Sequence, residues 1–488
     1  MQDNNTEFKR SLTLMDGVLI VAGSMIGSGI FIVSSDMVRN IGSAGWLIAI
    51  WVITGIMTIF AAISYGELAS MFPKAGGQYI FLKEGYNRLV GFLYGWSFFS
   101  VIQTGTIAAV GVAFSKFAGY FIKPLEMTDE NLLFSIGDNF KLYPAQLVSI
   151  ALVIFLTWVN SKGVKEGKTI QRIFTFAKLF SLFGLIIFGF LLAFNQDIWN
   201  ANWATGFNMS HTTALPESEG GGWSLFQSID GFSVGLGFVS AAMVGSVFSS
   251  VAWENVTYIA GEIQNPKRNV GLSLLLGTVI VTIIYVLINL MYVAVLPLFP
   301  TEGVVGSIAF APQDRVATAA SFPIFGAIGA TVIAIMIMVS TFGCNNGLIL
   351  SGARVYYSMA EDNLFFKKAG TLNKNTVPSW ALWVQCFWTS VLCLSGKYGL
   401  LLDYVVFVTL IFYIITILAV FKLRRTRPDL ERPYKAFGYP YIPFIYIILA
   451  STMAIGLLIS KWETCLFGII VVLLGLPFYY FFMRRQNK

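Results

Sequence analysis

The sequence predicts an all-α membrane protein of about twelve spanning helices, with the first and the sixth broken. Composition is the first reason. Apolar residues make up 56% of the 488 and charged residues 12%, with a mean hydropathy of +0.72. A soluble domain of this length does not carry that balance. The second reason is a series of apolar runs, most of them long enough to cross a hydrocarbon core. The third is a pair of Gly-Ser stretches five spans apart, each a poor helix interior.

The elements follow in order. Residues 1–11 are polar and include Lys9 and Arg10, and form an N-terminal segment. The apolar run after them is too long for a cleavable signal and lacks a small-residue cleavage site, so it stays as the first span. The predicted spans are 12–36, 43–66, 84–118, 143–160, 169–194, 234–260, 271–296, 323–358, 379–395, 399–423, 441–460 and 463–483. Within the first, Gly23-Ser24-Met25-Ile26-Gly27-Ser28-Gly29-Ile30-Phe31 holds three glycines and two serines. In lipid, weak helix is expected only where the freed backbone groups find partners. Ser24 to Gly29 is therefore read as a deliberate break. The N–H groups beyond it, near Ser28 and Gly29, offer themselves to an anion. The carbonyls before it, near Ser24 to Ile26, offer themselves to a cation, so one break suits a zwitterion.

The sixth span carries Gly245-Ser246-Val247-Phe248-Ser249-Ser250-Val251, which matches the first in reading Gly-Ser, two large apolar residues, a small residue and Ser. A repeated weak point five helices later points to an inverted repeat. The repeats are about 12–194 and 234–423, together a core over 12–423. Residues 424–488 add the last two helices and the C-terminus. Between the repeats, Asn195 to Gly231 is a long loop without Lys or Arg, either a cover for one vestibule or a linker.

Charge gives the orientation. Most of the 32 Lys and Arg fall in one set of alternate loops, with Lys422, Arg424, Arg425, Arg427, Arg432 and Lys435 the densest group. The other set holds only Arg39, Lys116, Lys123, Lys141, Arg315, Lys397 and Lys461. Both termini are therefore expected in the cytoplasm, in a bacterial inner membrane. The formal charge of +7 reflects these loops and predicts no nucleic-acid partner. The single histidine, His211, cannot build a zinc site, and Cys344, Cys386, Cys393 and Cys465 show no ligand spacing, so no metal and no cofactor is expected. Lys178 is the exception among the cations. It lies about 12 Å of helical rise into the fifth span, where a charge marks function by default.

Several stretches resemble one family. Residues 23–31 are similar to the first-helix signature of the amino acid–polyamine–organocation (APC) transporters. Glu67-Leu-Ala-Ser-Met-Phe-Pro-Lys-Ala-Gly-Gly-Gln-Tyr79 resembles that family's loop after helix two. Trp253-Glu254-Asn255 with Gly261-Glu-Ile-Gln-Asn-Pro-Lys-Arg-Asn269 resembles the end of its sixth helix. Arg427-Pro-Asp-Leu-Glu-Arg-Pro-Tyr-Lys435 resembles the loop after its tenth, above all in the L-type amino acid transporter (LAT) branch.

The resemblance implies a LeuT-type five-plus-five fold and amino acid transport, with LeuT itself the source of the broken-helix geometry. It implies a substrate site at Ser24, Met25, Ile26, Gly27, Ser28, Gly29, Phe248, Ser249 and Val251. The carboxylate meets N–H groups near Gly27, Ser28 and Gly29. The ammonium meets carbonyls near Met25, Ile26, Phe248 and Ser249. Phe248 matches the aromatic gate that closes over substrate. Lys178 matches a lysine standing where sodium-coupled relatives hold their ion, which implies sodium independence and a coupling role. Glu254 departs from the Asn of many LAT members and implies either a proton-responsive switch or a counter-charge for a basic substrate. Gln103, Thr104, Asn345 and Asn346 either line the pocket or bond between helices. Glu67, Lys74 and Arg88 with Gly76 and Gly77 imply an inner gate or hinge. Gly119 to Tyr143 lacks the cysteine by which LAT light subunits link to a heavy chain, so no covalent partner is expected.

A pump would need a phosphate-binding Gly-rich loop, a channel a continuous polar pore, and a membrane enzyme a catalytic cluster. None is legible, so the chain is not expected to be an enzyme. The apolar surroundings of Val251 and Ala252 favour small to medium neutral L-amino acids. A basic amino acid or polyamine exchanger, or an amino acid sensor on a carrier fold, remain the other two readings.

Overall fold

The computed structural model describes residues 10–136, 140–212, 227–229, 231–395 and 398–486, without the side chains of 164–171 and 485–486. The helices run α1 Leu14–Met25, α2 Val33–Ile41, α3 Ala44–Met71, α4 Gln78–Gly85, α5 Arg88–Ser97, α6 Gln103–Phe121, α7 Pro144–Ser161, α8 Val164–Leu192 and α9 Gln196–Ala204. They continue with α10 Phe232–Ser250, α11 Asn255–Tyr258, α12 Pro266–Val295, α13 Val316–Glu361, α14 Ser379–Cys393, α15 Tyr398–Thr426, α16 Tyr441–Ser460 and α17 Trp462–Gln486. Two short antiparallel hairpins, β1 Phe134–Ile136 with β2 Phe140–Leu142 and β3 Ser210–His211 with β4 Gln227–Ser228, complete the described elements.

Among the described residues, ten helices are long and apolar enough to cross a membrane. This is a multi-pass membrane protein. The two predicted spans outside that set are the broken first one and α14, which has 15 residues. The third span is α5 and α6 joined by one π turn, Phe98–Ile102, whose freed Phe99 carbonyl accepts from Thr104 Oγ1 at 2.6 Å. The predicted eighth span starts later than its helix, because Gly326 takes φ +68 and bends α13 away from its first ten residues.

Local chemistry fixes the ends. Thr13 and Asp16 form a capping box on α1, and the Ser43 side chain accepts from Trp46 N–H to start α3. Pro266 opens α12, where its missing N–H costs nothing.

Packing places both broken segments at the centre. α12 lies along α3 and α1, while α13 lies along α8 and α6. α10 packs against α2, α3 and α16. The α5–α6 span is buried nearly throughout, whereas α8, α16 and α17 turn Phe180, Leu191, Ile455, Leu473 and similar side chains outward. Such a surface suits acyl chains and not water.

The first break is where the sequence places it: α1 stops at Met25 and helical turns resume at Gly29. The second is not. Residues 245–250 stay helical, and the chain leaves the helix at Val251 to Glu254. The reason is that Ser246 and Ser249 turn their hydroxyls back onto the Met243 and Gly245 carbonyls, which a helix tolerates. The break is made instead by Ala252 at φ +67, a conformation that costs a non-glycine residue about 1–3 kcal/mol.

Candidate functional site

The first break lies against the last turn of α10, just ahead of the second break. A Cβ at Gly29 would stand 2.0 Å from Ser249 Oγ and 3.2 Å from Ser249 Cα, so only glycine permits this approach. Tyr285 of α12 clamps them, its hydroxyl 2.9 Å from both the Met25 and Ser249 carbonyl oxygens. One phenolic proton is thus shared between the two loosened segments.

The freed carbonyls of α1 are met from two sides. Lys178 Nζ, fully buried, donates to Gly23 O at 2.8 Å and Ile26 O at 2.7 Å. From α13, Cys344 Sγ donates to Ser24 O at 3.1 Å and Ser340 Oγ to Ile26 O at 3.4 Å. No carboxylate pairs with Lys178 among the described residues, so backbone dipoles alone balance its charge.

The donors beyond the break are in the opposite condition. Gly27 N–H, expected to face a carboxylate, is instead taken by Met25 O at 2.8 Å, while Ser28, Gly29 and Ile30 are buried and their N–H groups reach no acceptor among the described residues. Buried N–H groups are nearly always paired, so three in succession mark a place built for an acceptor. Ser28 Oγ lies 3.1 Å from Tyr398 Oη, and Phe248, 5% exposed, presents its ring to the edge of Tyr398 at 6.1 Å.

Each residue expected at the site can now be placed. Ser24, Met25, Ile26, Gly27, Ser28 and Gly29 lie on the first break, and Phe248 and Ser249 on the last turn of α10 that packs against it. The Met25 carbonyl already accepts from Tyr285 and Gly27 N–H and the Ile26 carbonyl from Lys178 and Ser340, so neither is left for the ammonium the sequence reading brings there, whereas the Phe248 and Ser249 carbonyls accept from Val251 N–H and Tyr285 and each keep a lone pair. Val251 is separate: it lines a small cavity of about 20 Å³ behind α10, with Thr54, Thr58, Ser250, Leu410 and Tyr413. Glu254, 4% exposed, leaves Oε2 without a hydrogen-bond partner, with Tyr65, Tyr94, Tyr258 and Tyr413 close enough to feel its charge.

The polar residues left open by the sequence act between helices. Gln103 donates to Leu348 O at 2.6 Å, and Asn160 donates to Asn346 Oδ1 at 2.9 Å. Asn345, in the amide orientation that satisfies both its groups, joins Ile107 O and Gly111 N–H. The expected cluster of Glu67, Lys74 and Arg88 is divided. Glu67 holds the loop after α15, accepting from Arg424 Nε at 2.9 Å and Ala436 N–H at 2.7 Å. Arg88 donates to Asp362 O at 2.7 Å.

Ion pairs and backbone hydrogen bonds tie the helices together on both faces of the described chain. On the face where the described chain begins, Ser11 and Leu12 N–H bond Glu262 O, Arg172 pairs with Asp16, and buried Arg354 pairs with Glu262 at 3.2 Å. On the other face, Asp314 receives Arg39 at 2.9 Å and Lys116 at 3.7 Å, and Arg315 pairs with Glu126. Arg39, Lys116, Arg315 and Arg354 are therefore not loop charges, as the sequence reading has them, but buried or nearly so. Lys9, Lys397 and Lys488, the side chains of Lys165, Lys168 and Arg485, and residues 213–226 of the long loop lie outside the described residues.

The family model described as amino acid permease matches residues 12–483. The chain belongs to the amino acid permease family. It is a membrane transporter and not an enzyme. Among curated proteins it is similar to the mouse "b(0,+)-type amino acid transporter 1", 28% identical over 484 residues, covering 98% of this chain and 89% of that one. The mouse "Large neutral amino acids transporter small subunit 2" is also 28% identical, over 98% of this permease and 82% of its own length. The human b(0,+)-type protein is 26% identical over 99% and 90%. Sequence reasoning missed three contributors to this permease's site, Tyr285, Tyr398 and Cys344. None differs locally from an ordinary core residue, and only their distant partners reveal them.

Proposed function

We propose that this permease is a sodium-independent transporter of small to medium neutral L-amino acids, working by alternating access on a LeuT-type five-plus-five core of twelve spans with both termini in the cytoplasm. The observation that carries the reading is the first break, set against the last turn of α10, with three consecutive N–H groups left for an acceptor. A zwitterion supplies what each side lacks: its carboxylate to Ser28, Gly29 and Ile30, and its ammonium to the Phe248 and Ser249 carbonyls, which each have one donor. No ionised side chain is then needed at the substrate.

Sodium independence rests on Lys178. Its ammonium already fills the position between the Gly23 and Ile26 carbonyls that a cation would take. Parting α1 from α8 would strand that charge in a low dielectric, at several kcal/mol. Opening on the α1 side therefore requires Lys178 to lose its proton or to be rehydrated by entering water. Phe248 acts as the gate above the substrate.

The orphaned Oε2 of Glu254 favours one second reading, exchange of basic amino acids or polyamines with Glu254 as counter-charge. The b(0,+)-type and large-neutral relatives agree with an amino acid in either case. The printed name of one relative makes it a small subunit of an assembly. For this chain we propose function without a disulfide-linked partner, because all four cysteines are buried.

Liposomes containing the purified chain test the proposal against a panel of labelled and competing substrates. Accumulation of neutral L-amino acids, equal in sodium and choline, supports it. Arginine or a polyamine outcompeting every neutral amino acid transfers the case to the second reading. Binding without any filling of the lumen identifies a sensor and overturns transport.

A further inference from the structure

Tyr398 is the first residue of α15 and only 7% exposed. Its hydroxyl lies 3.1 Å from the Oγ of Ser28, the residue that opens the run of unpaired N–H groups. Its ring meets Phe248 edge-on at 6.1 Å. Lys116 Nζ sits 5.6 Å from the ring centroid, and beyond it come Asp314 and Arg39. The phenol therefore stands between the site and a buried cationic group.

We infer that Tyr398 is a specificity-determining residue that donates its hydroxyl hydrogen bond to the substrate carboxylate. The inference rests on the functional reading above and adds a side chain to a recognition otherwise made by backbone. Three physical points support it. First, the Ser28 and Tyr398 hydroxyls hydrogen-bond to each other, and either can be the donor. A carboxylate on the Ser28 N–H can accept from both, so the pair is poised to rotate onto an anion without new desolvation. Second, a cation over an aromatic face draws electron density from the ring, which strengthens the phenolic O–H as a donor. Third, a phenol carries no charge. It selects for an anionic acceptor without the cost of burying a third cation in addition to Lys178 and Lys116.

The consequence is discrimination. A substrate with an α-carboxylate gains a charge-assisted hydrogen bond, while an amine or carboxamide of the same shape does not. Tyr398 thereby separates amino acids from their decarboxylated or amidated analogues, and its contact with Phe248 ties that choice to closure.

The test is equilibrium binding of labelled L-alanine to the full chain in liposomes, with unlabelled L-alanine and L-alaninamide as competitors, in wild type, Tyr398→Phe and Ser28→Ala. Removing only the hydroxyl in Tyr398→Phe should weaken L-alanine about tenfold or more, as loss of a hydrogen bond to a charged group does. L-Alaninamide should hold to within about twofold, so that the preference for the acid collapses. Ser28→Ala should keep most of the preference, because Tyr398 and the N–H groups remain. Equal binding of L-alanine in wild type and Tyr398→Phe overturns the inference. So does a parallel loss of both ligands, or a loss in Ser28→Ala as large as in Tyr398→Phe, either of which makes the hydroxyl structural. Wild type that binds no amino acid at all overturns the functional reading itself, a result distinct from any of these.

Discussion

Replacing Lys178 by Met keeps an unbranched side chain one atom shorter and deletes its charge. The structure sets the scale. The ammonium makes two short hydrogen bonds, at 2.8 and 2.7 Å, to carbonyls that have lost their helical partners. Hydrogen bonds from a charged donor contribute about 1.5–3 kcal/mol each, so about 3–6 kcal/mol holds α1 to α8. Against this stands a burial penalty of several kcal/mol for a fully buried cation. The two nearly cancel in overall stability, and Lys178→Met should fold with little change. They do not cancel in the transport cycle, where the penalty applies only when the carbonyls move away. Losing even about 3 kcal/mol of preference shifts the balance between states by more than a hundredfold. Exchange of labelled amino acid in liposomes should therefore slow at least about tenfold, while equilibrium binding stays within about threefold. Replacing sodium by choline should leave the wild type unaffected. A variant that exchanges at the wild-type rate would refute the reasoning, and so would sodium-dependent uptake by the wild type.

Other perturbations follow from the same geometry. Gly29→Leu should abolish substrate binding in a protein that still elutes as a folded species, because its Cβ collides with Ser249. Ala252→Gly should raise the melting temperature slightly by relieving a left-handed alanine, a gain of about 1 kcal/mol or more, measured by thermal unfolding in detergent. Arg354→Ala strands Glu262 in the interior and should lower stability by about 3–5 kcal/mol, with partial rescue by Glu262→Gln in the double variant. Glu254→Gln should flatten the dependence of exchange rate on pH; an unchanged pH profile would remove Glu254 from any proton-responsive role.

The first break was legible because three glycines and two serines in nine residues have no other use inside an apolar run. Lys178 was legible because a lysine at that depth has few reasons to exist. The span ranges followed from hydropathy, with errors where helices extend past the apolar region or turn at a single glycine such as Gly326. The second break was misplaced because serine is ambiguous. At Ser246 and Ser249 it bonds back to the helix, and the turn is carried by Ala252, whose conformation leaves no trace in composition. The buried charges escaped for a related reason. Arg354 and Lys116 stand near helix ends, where sequence alone cannot tell a solvated cation from one whose partner, Glu262 or Asp314, arrives from far along the chain. Tyr285 shows the same limit: its place in α12 is ordinary, and only the fold brings two broken helices to its hydroxyl.

Counterflow tests the central claim most directly. Liposomes holding the purified chain are preloaded with an unlabelled mixture of neutral L-amino acids and diluted into labelled L-amino acid without sodium. The account predicts transient accumulation of label inside wild-type vesicles, and none in vesicles carrying Gly29→Leu. Label that stays at the level of protein-free liposomes, or that accumulates equally through Gly29→Leu, would contradict it.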